Sequence, residues 1–185
     1  MENILVKDMM VPLADYVTVS DRATLADAVA ALKKAQQEFD RDRYRHRAVL
    51  VLDQHGKVVG KVSQINALQA LEPKYRGLGD LQELEGLYGL KADNIRRMIS
   101  DHGLWKMPID DICQKSAAIS VRDIMHKPTE GEIVDQDASL NEAIHQLIIG
   151  KHQSLLVVRD REIVGVLRLS DVFQRVGDIM AACAI

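Results

Sequence analysis

Aromatic residues are scarce: one Trp, four Tyr and two Phe make up 4% of 185 residues. The core must therefore be aliphatic, built from Val, Leu, Ile, Ala and Met. Cysteine is scarcer still. Cys113 and Cys183 are too few and too far apart for a disulfide framework, so a reducing, cytoplasmic setting is expected. No apolar run approaches the roughly 18–20 residues that span a bilayer. The N-terminal stretch Met1–Asp8 carries early acids and lacks the apolar segment of a signal peptide. No membrane partner is expected. Charge of one sign is also missing: the net charge is −3 and the pI near 6.1, so no nucleic-acid partner is expected.

Catalytic signatures are missing too. The six histidines (46, 55, 102, 126, 145 and 152) show no metal-binding spacing, and neither cysteine has a histidine nearby. There is no phosphate-binding Gly-x-x-x-x-Gly-Lys loop and no Gly-x-Ser-x-Gly elbow, and Ser63 and Ser170 have no evident base. His145 reads as a surface residue of an amphipathic helix. These absences argue against an enzyme, a metal site or a required cofactor.

What the chain does contain is an internal repeat. Val6-Lys7-Asp8-Met9-Met10 aligns with Val121-Arg122-Asp123-Ile124-Met125. Without a gap, Val19 then meets Val134, Ala23 meets Ala138, Leu25 meets Leu140, Ala28 meets Ala143 and Leu32 meets Leu147. From Leu25 onward the matched apolar positions fall at helical spacing. The first copy then has about ten extra residues, after which Gly60 meets Gly165 and Asn66 meets Asp171.

Each copy reads as strand, helix, strand, strand, helix. Short strands end near Val17-Thr18-Val19 and Ile133-Val134. Ser20 or Asp21 can cap the first helix, which carries Leu25, Ala28, Val29 and Leu32; Asp135 or Asp137 can cap its counterpart. A hairpin follows in each copy: Ala48–Leu52 and Val58–Val62 around Asp53-Gln54-His55-Gly56, then Leu155–Val158 and Ile163–Leu167 around Arg159-Asp160-Arg161-Glu162. The continuous Val/Leu/Ile runs predict strands covered on both faces. Each hairpin hands over directly to a helix, at Ser63-Gln64-Ile65-Asn66 and Arg168-Leu169-Ser170-Asp171, leaving free backbone N–H groups at each helix start.

The Val-x-Asp-hydrophobic-Met opening and the Gly-hydrophobic-hydrophobic-x-x-x-Asp ending, present twice and in register, resemble CBS domains. The resemblance covers roughly residues 4–72 and 119–180. It implies an α/β (α+β) fold in which two β-α-β-β-α repeats pack as a pseudo-twofold Bateman module. CBS domain 1 is expected at 1–72, a helical insertion at 73–118 and CBS domain 2 at 119–185. The resemblance further implies a stand-alone regulatory module that binds AMP, ADP, ATP or S-adenosylmethionine between the repeats, and that forms a homodimer through the closing helices.

In that family a Ser/Thr and the adjoining helix N-terminus face phosphate, and the acid three residues later holds the ribose hydroxyls. A helix N-terminus favours an anion and a carboxylate accepts from a cis-diol. Here the second copy keeps the acid, Asp171, but has Arg168 at the hydroxyl position. Arg168 can pair with a phosphate, fill the cleft, or bridge to an acid of the other repeat. The first copy keeps Ser63 but has Asn66 for the acid, and Asn66 can equally serve as a helix cap. The Asp171 site is the favoured one, with Ser170 beside it. By resemblance, backbone groups of Thr18, Val19, Ile133 and Val134 face adenine, and His46, Arg47 and His152 reach toward phosphate. Arg41, Arg43 and Arg45 belong to a mixed-charge run that equally reads as a solvated helix end.

The 73–118 insertion has too few Gly and Ser residues for a flexible linker. Helices are expected over 81–90, 94–103 and 109–113, with Ile95, Met98 and Ile99 on one face. The insertion serves either as a cap on the module's flank or as a partner surface anchored by Trp105 and Tyr88. The apolar tail 179–185 is expected to pack on the core or on a dimer mate. A nucleotide-independent interaction scaffold is the alternative function, with an unidentified protein partner.

Overall fold

The computed structural model describes residues 4–37, 46–77, 91–106 and 108–183. The first half runs β1 (Val11–Pro12), β2 (Thr18–Ser20), α1 (Leu25–Gln37), β3 (Ala48–Leu52), β4 (Val58–Ser63) and α2 (Gln64–Leu71). Between the halves lie α3 (Ala92–His102) and α4 (Ile109–Ala118). The second half runs α5 (Val121–Ile124), β5 (Ile133–Asp135), α6 (Leu140–Ile149), β6 (Ser154–Arg159), β7 (Glu162–Arg168) and α7 (Leu169–Cys183). In each half a short parallel strand joins an antiparallel hairpin: β2 on β3 on β4, and β5 on β6 on β7. The chain is thus a mixed α/β fold of two β-α-β-β-α repeats.

The central strands β3 and β6 hold the halves together. With a two-residue period, a continuous apolar run presents apolar side chains on both faces. Val49 and Val51 face a core with Ala28, Val62 and Val121. Leu155 and Val157 do the same among Val6, Leu140, Leu147, Leu167 and Val172. The intervening Leu50 and Leu156 turn the other way and meet each other, with Tyr16 and Val166, at the joint between repeats.

The two segments that lead into the repeats cross over. Val11 pairs with Val166 and Pro12 with Gly165, so β1 of the first half extends the second half's sheet. His126 makes the matching exchange with Lys61, at 3.0 and 2.9 Å. Val6 donates to Ala138 O and Val121 to Ala23 O, both at 3.0 Å, and both valines are fully buried in the opposite half's core.

The crossing explains why the two sequence motifs travel together. A Cβ on Gly165 would lie 2.7 Å from Met10 Sδ and 2.7 Å from Val11 O. A Cβ on Gly60 would lie 2.7 Å from Met125 Sδ. The methionine that ends each Val-x-Asp-hydrophobic-Met motif sits on the glycine of the other repeat.

Several local expectations need correction. Thr24, not Ser20 or Asp21, starts α1, in a reciprocal pairing with Asp27 (Thr24 N to Asp27 Oδ2, 2.8 Å; Asp27 N to Thr24 Oγ1, 3.2 Å). Ser139, not Asp135 or Asp137, caps α6. The chain makes a turn after each parallel strand before it can enter the helix, so Ser20 and Asp135 close that turn through Arg22 N and Asp137 N. Val29 is exposed on α1. The final turn of α7 is also exposed, with Met180 outward and Ile179 half-buried, so the described tail does not pack on the core of its own chain. His145 is exposed as expected.

In the insertion, α4 runs on to Ala118 rather than stopping at Cys113, and it packs against α1 and α2. Glu72 is buried and accepts from Trp105 N at 2.7 Å, while Trp105 Nε1 donates to Tyr75 Oη at 3.0 Å. Ile95 and Ile99 of α3 are exposed. Tyr88, Arg41, Arg43, Arg45, the 38–43 charge run and the 81–90 helix lie outside the described residues.

Candidate ligand-binding site

The two strand-to-helix handovers are closed by their own side chains, in different ways. Ser63 accepts from Asn66 N at 3.1 Å, and Asn66 Oδ1 accepts from Ser63 N at 3.0 Å and from the Ser63 hydroxyl at 2.7 Å. That reciprocal box satisfies the first turn of α2. At the start of α7, Arg168 Nε and Nη2 donate to Asp171 Oδ2 and Oδ1 at 2.5 and 2.7 Å. Arg168 is 6% exposed. It reaches the acid of its own repeat. Ser170 is half-buried beside the pair.

The pair adjoins two rings of the first repeat. Tyr16 and His46 meet edge to face at 4.4 Å, and both are nearly fully buried. Burial lowers the His46 pKa to about 4, helped by the Arg168 charge and opposed by Asp171. Burial raises Tyr16 to about 12, opposed by Arg168 and helped by Asp171. His46 is thus a neutral imidazole at pH 7. Next to these rings opens a cleft of ≈ 360 Å³ lined by Ala14, Asp15, Val17, Ala31, Lys34 and Ala35 as well as Tyr16 and His46. The volume lies near the lower end of small-molecule pockets.

The pseudo-equivalent region, beside Ser63, is built differently. Lys61 Nζ donates to Glu132 Oε1 at 2.5 Å, His126 Nε2 bonds Glu132 Oε2, and Thr129 N donates to Glu132 Oε2 at 3.2 Å. Burial pushes the Glu132 carboxyl up, but these bonds and the Lys61 charge outweigh it and hold the pKa at about 2. Lys61, His126 and Glu132 stand where the other side has Val166, Val11 and Val17, three members of the apolar joint. The repeat alignment contains that signal: three charged or polar residues opposite three valines. Sequence reasoning missed this triad, and missed Tyr16, whose counterpart is Gly131.

The remaining candidate residues scatter around these two regions. His46 and His152 are equivalent, each two residues ahead of its central strand. His152 is half-buried; its ring lies 3.8 Å from a Cβ position on Gly131 and fills the space beside Gly150. Arg47 is exposed and its carbonyl accepts from Gln64 N at 3.1 Å. Thr18 and Val19 pair with Leu50 and Val51 in the ladder. Ile133 and Val134 pair with Leu156 and Val157, and Gln146 donates to the Ile133 carbonyl at 2.8 Å. The structure therefore brings His46, Arg168 and Asp171 together, and separately Ser63 with Asn66. No group of metal-ligating side chains is found among the described residues. No helix among them is long and apolar enough to cross a membrane.

The family model described as CBS domain matches residues 6–73 and 121–178. No curated protein matches the sequence. Solved structures do. CBSX2 in complex with AMP is 19% identical, covering 96% of this chain and 99% of that one, with a TM-score of 0.60. CBSX2 from Arabidopsis thaliana is 19% identical, covering 96% of each chain, with a TM-score of 0.60. The CBS domain of a bacterial CNNM/CorC family Mg2+ transporter in complex with ATP is 17% identical, covering 95% of this chain and 89% of that one, with a TM-score of 0.57. At these identities the likeness establishes the fold.

Proposed function

The chain belongs to the CBS domain family, and from that premise we propose that it is a non-catalytic regulatory module whose ligand contains adenosine. Its units are 1–72 and 119–185, with 73–118 inserted between them. The ligand sits in the cleft beside Tyr16 and His46, with Asp171 holding the ribose. The observation that carries this reading is the asymmetry of the two regions. Beside Asp171 the joint is apolar and presents two neutral rings next to a carboxylate, which suits a purine and a diol. The opposite region is filled by the Lys61–Glu132–His126 bonds. Structures of the same fold hold AMP and ATP, which supports an adenine nucleotide.

Ligand binding signals only if it favours one arrangement of the repeats over another. The exposed Ile65 and Leu68 of α2 and Phe173 and Met180 of α7 provide an apolar surface for a homodimer. A thermal-shift series against ATP, ADP, AMP, S-adenosylmethionine and GTP tests the reading. A ligand specific to the folded state raises the melting temperature by mass action. A saturable shift with an adenine ligand, weakened about tenfold in affinity by Asp171→Asn, is expected for loss of a charge-assisted contact. No shift with any adenine ligand at millimolar concentration refutes it.

One observation favours a second reading, a ligand-independent dimer scaffold. Ser63 pairs with Asn66, and Arg168 pairs with Asp171, across the start of each closing helix. That reading expects no nucleotide response but a dimer in sedimentation, lost in Phe173→Asp.

A further inference from the structure

We propose that the Tyr16 hydroxyl is the polar group that reads the base of the ligand, by donating a hydrogen bond to one of its ring nitrogens. The inference rests on the adenosine reading above and adds the residue that selects the base.

Tyr16 is 8% exposed. Its side chain packs with Leu50, Leu156 and Val166 at the joint between the repeats, and its ring meets His46 edge to face at 4.4 Å. Those contacts need only an aromatic ring, and Phe would supply them. They do not account for the hydroxyl. Among the described residues nothing forms a hydrogen bond with it. A polar atom left in that state on a largely buried residue costs stability. Tyr16 also lines the cleft, where a ligand can supply the partner that the chain does not.

The surroundings suit a base better than a phosphate. Burial raises the phenol to about 12, so at pH 7 it keeps its proton and donates. Ala14, Val17, Ala31 and Ala35 of the lining are apolar, and its two charged residues, Asp15 and Lys34, are of opposite sign. A phosphate among these side chains would lose its hydration at high cost. A planar base buries its faces against them and offers the hydroxyl an uncharged ring acceptor. The same phenol feels the charges of Arg168 and Asp171, so it stands within electrostatic reach of the acid that takes the ribose. In the second repeat the equivalent position is Gly131, which has no hydroxyl to offer.

The test is calorimetric titration of the full chain with AMP, and with AMP analogues in which one adenine ring nitrogen at a time is replaced by C–H, for wild type and Tyr16→Phe. In the wild type one analogue is expected to bind about three- to tenfold more weakly than AMP, the scale of one neutral hydrogen bond. Tyr16→Phe should bind AMP more weakly by the same factor, and should bind that analogue within about twofold of AMP. A purely structural role for the ring would not erase that distinction. The ligand-free melting temperature of Tyr16→Phe should hold within about 2 °C, because no bond inside the protein is removed. A larger fall shows that the hydroxyl has a partner in the chain and overturns the inference. So does a wild type that binds every analogue as it binds AMP, or a penalty that persists unchanged in Tyr16→Phe; both leave the adenosine reading intact. If AMP does not bind the wild type, this inference falls, and the thermal-shift series decides whether the adenosine reading falls with it.

Discussion

Gly165 and Gly60 are equivalent positions that differ in what lies above them, and substitution by alanine should separate them. At Gly165 a methyl group would stand 2.7 Å from Met10 Sδ and 2.7 Å from the Val11 carbonyl oxygen. At Gly60 it would stand 2.7 and 2.9 Å from Met125 Sδ and Cγ, but 3.1 Å from the His126 carbonyl oxygen. Side-chain atoms can be removed by mutation; a backbone carbonyl held in the ladder cannot. Overpacking of this kind costs about 1–3 kcal/mol. We place Gly165→Ala near the upper end, about 3 kcal/mol, since β1 must lift off β7 to relieve it. A chain of this size loses roughly 2–4 °C per kcal/mol, so a fall of about 6–12 °C is expected. Gly60→Ala should cost about half as much.

The decisive comparison is a pair of double-mutant cycles in urea. Gly60→Ala with Met125→Ala should be milder than the sum of its parts by about 1 kcal/mol, because the new methyl occupies space the sulfur leaves. Gly165→Ala with Met10→Ala should show a much smaller coupling, because the Val11 carbonyl remains. Equal couplings in the two cycles would refute the crossing-over of the leading segments as the reason for these glycines. So would an undetectable cost at Gly165.

Acid should destabilise the fold in two separate windows. His46 has a folded pKa of about 4 against an ordinary 6.5, so the unfolded chain binds more protons between those values and stability falls as pH drops through them. The Glu132 pKa of about 2 lies below an ordinary 4.5; its contribution is complete above 4.5 and is lost toward pH 2, about 3 kcal/mol in all. Urea midpoints followed from pH 7 to pH 3 should lose the upper slope in His46→Phe and the lower one in Glu132→Gln; slopes that survive these changes contradict the assignments. Ser63→Ala removes the α2 cap and should cost about 1 kcal/mol in the same assay, with no effect on affinity for an adenine ligand at the Asp171 cleft; a large loss of affinity would move the site.

The sequence alone determined the elements and their order, because helix and strand periods and turn residues are local properties. The repeat register from Leu25 to Leu32 against Leu140 to Leu147 identified equivalent helices, and the double-faced apolar runs at β3 and β6 identified strands buried on both sides. Pairing across the repeats was not legible in the same way. Nothing within Val6–Met10 says that it belongs to the other half's core; that follows from where Gly165 leaves room. The partners of charged side chains were likewise undetermined. Arg168 and Asp171 are three residues apart, and only the direct passage from β7 into α7 turned them toward each other. Lys61 and Glu132 lie 71 residues apart, and their bond exists because the second leading segment crosses over β4. Short-range order follows from the chemistry of neighbouring residues, whereas these contacts depend on how the two halves, each completed by the other's leading segment, are brought face to face.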